Sequence, residues 1–527
     1  MMTSKRKSGK TKSKATNKSF RVAVLGKPTG IIQPRVQQVG PEGFGVIAVD
    51  CAKDRSKWMM ANFYGKVLIE PTEVEHRCNA FQVMAQLATE AIERHQIKDV
   101  IACVEMTGSY HKPIYRQWKK LGYDTRIIHP FASSHYRLPE HGDVKTDDND
   151  LAAIFRAAVN GFGLLEKPWN ETYLRLQILV RHRRDLVRKR SKLQCQIRYH
   201  VDRCLPGFTS TFATTDMWTL PIAVGTLQFI ADHGGTAQAI LDSGILQLGR
   251  WLRNHKFRFQ QRTLERIYCW AKQATTGEEM ASSIAHVWLE LLDDWELKTK
   301  QIVACEVKEA SLLVKTPYIL LLSHPGINVV SAAELAGETG PIEHYASSKS
   351  MSGRSGLFPS RYQSDGVDRG GNLSKFRNGK MRAAWLMVAS NMVKCNAYWR
   401  AKASHWREQG VAGPDVRCRI ANRLTRPVFQ MVSGGKLYSH PSRLDRGYVL
   451  EKLMNFHRQH GTSPSQIVND LRVAIEQIPA AHYLQEASPL KGFHAKSRRS
   501  RRTEPKELGD LLVAVLARLG VADLESP

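Results

Sequence analysis

Four carboxylates in this chain stand where a fold could aim them at one point. Asp50 and Glu105 each close an apolar run of strand type, and Asp147 and Asp150 lie three apart, on one face of a helix. Acids held together in this way suit a hard divalent cation, Mg²⁺ or Mn²⁺, which takes oxygen ligands and neutralises a phosphate under attack. Far downstream, Ser364 lies in a basic, Gly-punctuated stretch with Arg361, Arg369 and Lys375. A serine hydroxyl among cations can attack a phosphate and hold a nucleic-acid end covalently. Each feature alone has a plainer reading: Thr146 and Asp147 suit a helix cap and first turn, and Ser364-Asp365-Gly366 suits a tight turn. The elements around the acids decide between these readings.

Residues 45–50, 58–63 and 67–69 read as three strands with short polar connections. A helix over 73–95 follows, with Phe81, Met84, Leu87, Ala88 and Ala91 at helical spacing. Residues 100–104 form the next strand and deliver Glu105. A helix starting near Pro113 and stopping at Gly122 precedes a fifth strand at 125–128, and the acidic helix comes next. The order β-β-β-α-β-α-β-α is that of the ribonuclease H fold, in which the first and fourth strands are neighbours. Asp50 and Glu105 are therefore expected side by side.

The remainder is expected to be mainly helical. Lys and Arg outnumber Asp and Glu by 77 to 49, a formal charge of +28, so a polyanion is the expected partner. No apolar run is long enough to span a bilayer, which points to a cytoplasmic, nucleoid-associated protein rather than a membrane one. Nine scattered cysteines contain no CxxC pair, and Cys195, His200 and Cys204 read as ordinary helix residues. Leu179, Leu186 and Leu193 recur every seven residues among Arg181, Arg183, Arg184, Arg188, Lys189 and Arg190, as in a coiled-coil arm lying along phosphates. A second amphipathic helix from about 284 could return antiparallel to it, and the turn at Pro325-Gly326 could offer backbone N–H groups to phosphates. The expected divisions are a disordered basic tail at 1–43, an α/β domain at 44–165, a coiled-coil region with an insertion at 166–315, a mostly helical domain carrying Ser364 at 316–440, and a helical extension at 441–527. Residues 206–280 carry no motif, 490–503 read as a basic linker, and 505–520 as a small amphipathic helix.

The tracts Ala48-Val49-Asp50, Val104-Glu105 through Tyr110, Lys145 through Asp150, Pro325-Gly326-Ile327 and Gly356-Leu357-Phe358-Pro359 through Ser364 together resemble the DEDD-type insertion-sequence transposases described as bridge-RNA-guided recombinases. The resemblance spans about 44–205 and 315–440. It implies a RuvC-like domain whose acids match Asp50, Glu105, Asp147 and Asp150, a coiled-coil region, and a transposase domain whose nucleophile matches Ser364. It also implies donor and target DNA, an element-encoded guide RNA, and a dimer or tetramer with shared active sites. The chain departs from the family's usual pattern at Asp365, within a Ser-Gly pair, at Arg377, in place of Gly, and in its extra sequence. The alternatives are a RuvC-like junction nuclease that uses water, and a non-catalytic nucleic-acid-binding protein.

Overall fold

The computed structural model describes residues 32–137, 146–212, 217–275, 277, 279–364, 367–375, 377–438 and 446–479. The expectations for 1–31, 490–503, 505–520, Asp365 and Gly366 lie outside these residues. The chain forms two compact units, 1–168 and 169–527.

The first unit opens with α1 (Gln33–Val39) and the hairpins β1 (Phe44–Cys51), β2 (Arg55–Asn62) and β3 (Val67–Glu75). There follow α2 (Cys78–Arg94), β4 (Asp99–Glu105), α3 (His111–Lys120), β5 (Asp124–Ile128), α4 (Pro130–His135) and α5 (Asp147–Val159). The sheet order is β3-β2-β1-β4-β5; β1 runs antiparallel to β2 and parallel to β4, as the strand order requires. Because strand side chains alternate between faces, Ile47, Val49, Ala102 and Val104 pack under α2 and α3, while Val46, Ala48, Ile101 and Cys103 pack under α1 and α5. Both faces are covered, which explains the near-continuous apolar runs of β1 and β4.

Two boundaries correct the sequence reading. Residues 73–75 belong to β3, since Thr72 and Val74 pair with Trp58 and Ser56, and α2 starts only at Cys78. Residues 32–43 are part of the folded unit rather than a disordered tail: Ile32 and Val36 are buried, and Arg35 bridges Asp99 and Asp124 at 2.6 and 2.5 Å.

The second unit is built on α6 (Glu171–Cys204) and α10 (Ala281–Leu313). Leu176 and Val180 share a core with Ala310 and Leu313, whereas Ile197 and Val201 share one with Ala285 and Trp288, so the two helices run antiparallel as expected. Among the three heptad leucines only Leu186 is fully buried; Tyr173, Leu176, Val180, Ile197 and Val201 carry the rest of the seam. Between these helices α7 (Pro221–Asp232), α8 (Gln238–Asn254, kinked at Gly244) and α9 (Gln261–Gln273) close a separate apolar core at one end of the pair. This is the segment that carried no motif.

At the other end lie α11 (Val329–Thr339), α12 (Ser348–Ser355), the hairpin β6 (Pro359–Ser364) and β7 (Val367–Leu373), α13 (Gly379–Cys395), α14 (Ala397–Glu408) and α15 (Gly413–Gly434). α13 and α14 are separated at Asn396, whose side chain accepts from the Trp399 N–H and so caps α14. α16 (Arg446–Gln459) and α17 (Pro464–Gln477) complete the same core through Val449, Leu453, Ile467 and Leu471. They are integral to that domain and do not form a separate extension.

Candidate active site

Val49 of β1 pairs with Val104 of β4, and the next residues in each strand are Asp50 and Glu105. By alternation both carboxylates face the side on which α5 packs its Leu151, Ile154 and Ala157. The first turn of α5 carries Asp147 and Asp150. Their proximity is written in the acidity of Asp50, which is pushed up to about 6, first by burial and then by the negative charges of Glu105, Asp150 and Asp147. The plain reading of the helix start also holds, since Thr146 accepts from the Asn149 N–H as an N-cap. Capping and clustering are compatible because the cap fixes where the helix begins and thus where its first-turn acids point.

Two groups that the sequence did not single out hold these acids, and a third holds the neighbouring Asp148. Ser133 of α4 donates to Glu105. Arg137 donates to Asp150 at 2.8 Å through Nε and lies at 2.7 Å through its second nitrogen, over a carboxylate that is itself buried. Lys57 stands opposite Asp50 across the β1–β2 pair, so it shares that face, and its ammonium lies 2.6 Å from Asp148. The register could have revealed Lys57; the approach of α4 has no sequence signal. Oxygen donors of this kind fit a divalent cation, and the mutual repulsion felt at Asp50 is what a cation would relieve. Among the described residues, no three carboxylate, imidazole or thiol side chains converge into a closed metal cluster.

Ser364 ends β6, paired with Val367 of β7, and its side chain is exposed. Register sets Arg361 against Gly370 and Arg369 against Tyr362 in the same hairpin, and Lys375 follows it at the surface. The hairpin's base is braced by buried Arg382 of α13, which donates to the carbonyls of Ser355, Gly356 and Ser374 at 3.0, 2.6 and 2.5 Å. Gly356, at φ 63°, is required there, since a side chain would run into that guanidinium. The turn at Pro325-Gly326 is backed by Lys452 of α16, whose ammonium donates to the carbonyls of Leu322, His324 and Ile327.

The arginine row on α6 needs correction. Arg181 grips Glu338 of α11 at 3.1 and 3.0 Å, Arg183 reaches Glu306 of α10 at 2.6 and 2.5 Å, and Arg184 binds Glu334 of α11. These three cations neutralise carboxylates within the unit's own core instead of lying open to phosphates. Arg188 and Lys189 are exposed, with Arg188 near Asp185 at 3.3 Å; Arg190 is half-buried.

Two family models match the chain in series: a DEDD transposase model over residues 47–206, and a model described as transposase IS116/IS110/IS902 family over residues 318–404. The chain is also 25% identical over 122 residues to the transposase for insertion sequence element IS1328 of Yersinia enterocolitica, a match covering 23% of this chain and 36% of that protein. The first model spans all four acids and the second contains Ser364, with the two matched stretches in the expected order along the chain. Over these two stretches the chain is similar to the DEDD-type insertion-sequence transposases of the IS110/IS116/IS902 family.

Proposed function

We propose that the chain is the recombinase of a mobile element, cutting and rejoining donor and target DNA with Ser364 as nucleophile and Asp50, Glu105, Asp147 and Asp150 as ligands for Mg²⁺ or Mn²⁺. The observation that carries this reading is the coupling of Asp50 to Glu105, at the end of the adjoining strand, and to Asp150 and Asp147 in the first turn of α5. A fold does not bring four acids together without cost when one arginine, Arg137 on Asp150, is their counter-charge among the described residues, and phosphoryl transfer is a chemistry that uses such a group.

A bound divalent ion would supply charge neutralisation at the phosphate. Ser133 and Arg137 orient Glu105 and Asp150, and Lys57 draws Asp148 aside so that it does not add to the cluster. Ser364 would attack a backbone phosphorus: its Oγ–P bond forms, its proton leaves to a base, and the bond from phosphorus to one sugar oxygen breaks, that oxygen taking up a proton. The phosphodiester energy stays in the serine link, so a second hydroxyl can reverse the step and rejoin DNA without ATP. Arg361, Arg369 and Lys375 would steady the phosphate, with Arg188, Lys189 and Arg190 adding positive charge along α6. The family resemblance further supports a guide RNA transcribed from the element and a homo-oligomer with composite sites.

The test is Ser364→Ala beside Glu105→Gln and Asp147→Asn. Each should bind DNA but not cleave it, and only wild type should give a denaturant-resistant adduct whose digestion yields a DNA-linked peptide containing Ser364. Wild-type cleavage by Ser364→Ala moves the reading to a nuclease that uses water. Full cleavage in EDTA removes the metal. If no discrete RNA accompanies the purified protein, and recombination survives RNase treatment, guidance by RNA falls.

A further inference from the structure

We propose that the outer faces of α8 and α9 form a docking surface for duplex DNA, outside both stretches that match the family. The inference rests on the reading of DNA as the substrate, but not on the serine, the metal or a guide RNA. Residues 207–317 lie between the two matched stretches, and α7 to α9 within them build their own core. Beyond the Gly244 kink of α8, which the exposed acids Asp232 and Asp242 precede, the outside of that core is strongly one-sided in charge. From 246 to 273 the only acid is Glu265, whereas Arg250, Arg253, Lys256, Arg258, Arg262 and Arg266 are all exposed.

The helices present these cations as sets. Leu248 and Leu252 turn inward on α8, leaving Arg250 and Arg253 a turn apart on its outside; Leu264 and Ile267 turn inward on α9, leaving Arg262 and Arg266 outside. Among the described residues none of the four has an ion-pair partner. Arg253 lies over the Phe259 ring at 5.7 Å, and Lys272 over Tyr268 at 4.8 Å, which holds them near the surface. The arginines of α6 supply the contrast, because there the fold provides a glutamate for each of Arg181, Arg183 and Arg184. On α6 the cations that serve packing are each paired with a carboxylate. On α8 and α9 the like charges are left to repel one another, which a polyanion would reverse. The 13 residues of α9 extend about 20 Å, and duplex DNA carries one charge per about 1.7 Å, so four cations along these helices can each meet a different phosphate.

The experiment measures binding of the full-length chain to a labelled duplex of about 40 base pairs by anisotropy, over a salt series. The variant Arg250→Gln/Arg253→Gln/Arg262→Gln/Arg266→Gln should flatten the slope of log K against log salt by about 3 to 4 and weaken binding at least about tenfold near 0.1 M salt, with an unchanged melting temperature. Glu265→Gln should tighten binding, which keeps the proposal testable if the fourfold variant misfolds. An unchanged slope in the fourfold variant overturns the proposal. So does weakened binding of a hairpin RNA with duplex binding intact, which would make RNA the partner. Wild-type slope in Ser364→Ala separates this surface from the chemistry, and a wild-type chain that binds no duplex overturns both this proposal and the substrate reading.

Discussion

Replacing Asp50 by Asn should make the metal-free protein more stable while removing its activity. Burial and the charges of Glu105, Asp150 and Asp147 lift the Asp50 carboxyl from its ordinary 3.8 to about 6. A rise of that size corresponds to about 3 kcal/mol against the ionised form, and because solvent still reaches this side chain the effective cost is nearer to about 1–2 kcal/mol. The folded state holds the Asp50 proton more tightly than the unfolded chain. Its contribution is therefore favourable below about pH 4 and is lost as pH rises through about 6. In EDTA at pH 8, Asp50→Asn should raise the melting temperature of the first unit by a few degrees, and the gain should vanish near pH 4. Adding Mg²⁺ should raise the wild-type melting temperature and do so less for the variant, since the ion replaces what the substitution removed. Thermal denaturation followed by circular dichroism across pH, with and without Mg²⁺, reads all of these. A variant that melts below wild type at pH 8 in EDTA would refute the account of Asp50 as a carboxylate strained by its neighbours. A gain that persisted undiminished at pH 4 would do the same.

Arg184→Ala should cost about 3 kcal/mol in urea denaturation, because it leaves Glu334 buried without its partner, and should leave the salt slope of DNA binding unchanged. Glu309 of α10 is buried and its carboxyl is pushed up to about 8, so wild-type stability should decline between about pH 4.5 and 8; Glu309→Gln should flatten that profile and stabilise the protein by a few kcal/mol at pH 8, measured as a shift in the urea midpoint. Lys452→Met should lower stability by about 2–3 kcal/mol by stranding the carbonyls of Leu322, His324 and Ile327, read as the loss of urea midpoint at unchanged slope.

The α/β unit was legible because its signals are local and its geometry follows from order. Apolar runs ending in Asp50 and Glu105 announce two strands, and the β-β-β-α-β sequence makes those strands parallel neighbours, so the pairing of Val49 with Val104 needed no further information. The start of α5 was equally visible in Thr146 and the acids after it. The segment 205–280 was opaque for the opposite reason: its helices bury short, mixed apolar sets such as Leu248 with Leu252, and Gly244 interrupts α8, so no clean period survives. The contacts of Ser133 and Arg137 depend on where α4 lands, which no spacing in the sequence encodes.

Arginine clusters show why composition alone misjudges a binding face. The row on α6 and the row on α8 and α9 look alike in sequence, both dense in cations and poor in neighbouring acids. Their fates differ because of residues distant along the chain: Glu306, Glu334 and Glu338 lie 123, 150 and 157 positions after Arg183, Arg184 and Arg181, and tertiary packing brings them into contact. A buried carboxylate near a guanidinium forms a charge-assisted pair that phosphate would have to displace, and displacement would strand the carboxylate in a low-dielectric core. Exposed guanidinium groups without such a partner give up only counterions when they meet a phosphate. The deciding quantity for each arginine of these two rows is therefore whether the fold delivers a carboxylate to it. By that measure the second unit uses α6 to join its helices and leaves α8 and α9 to face a polyanion.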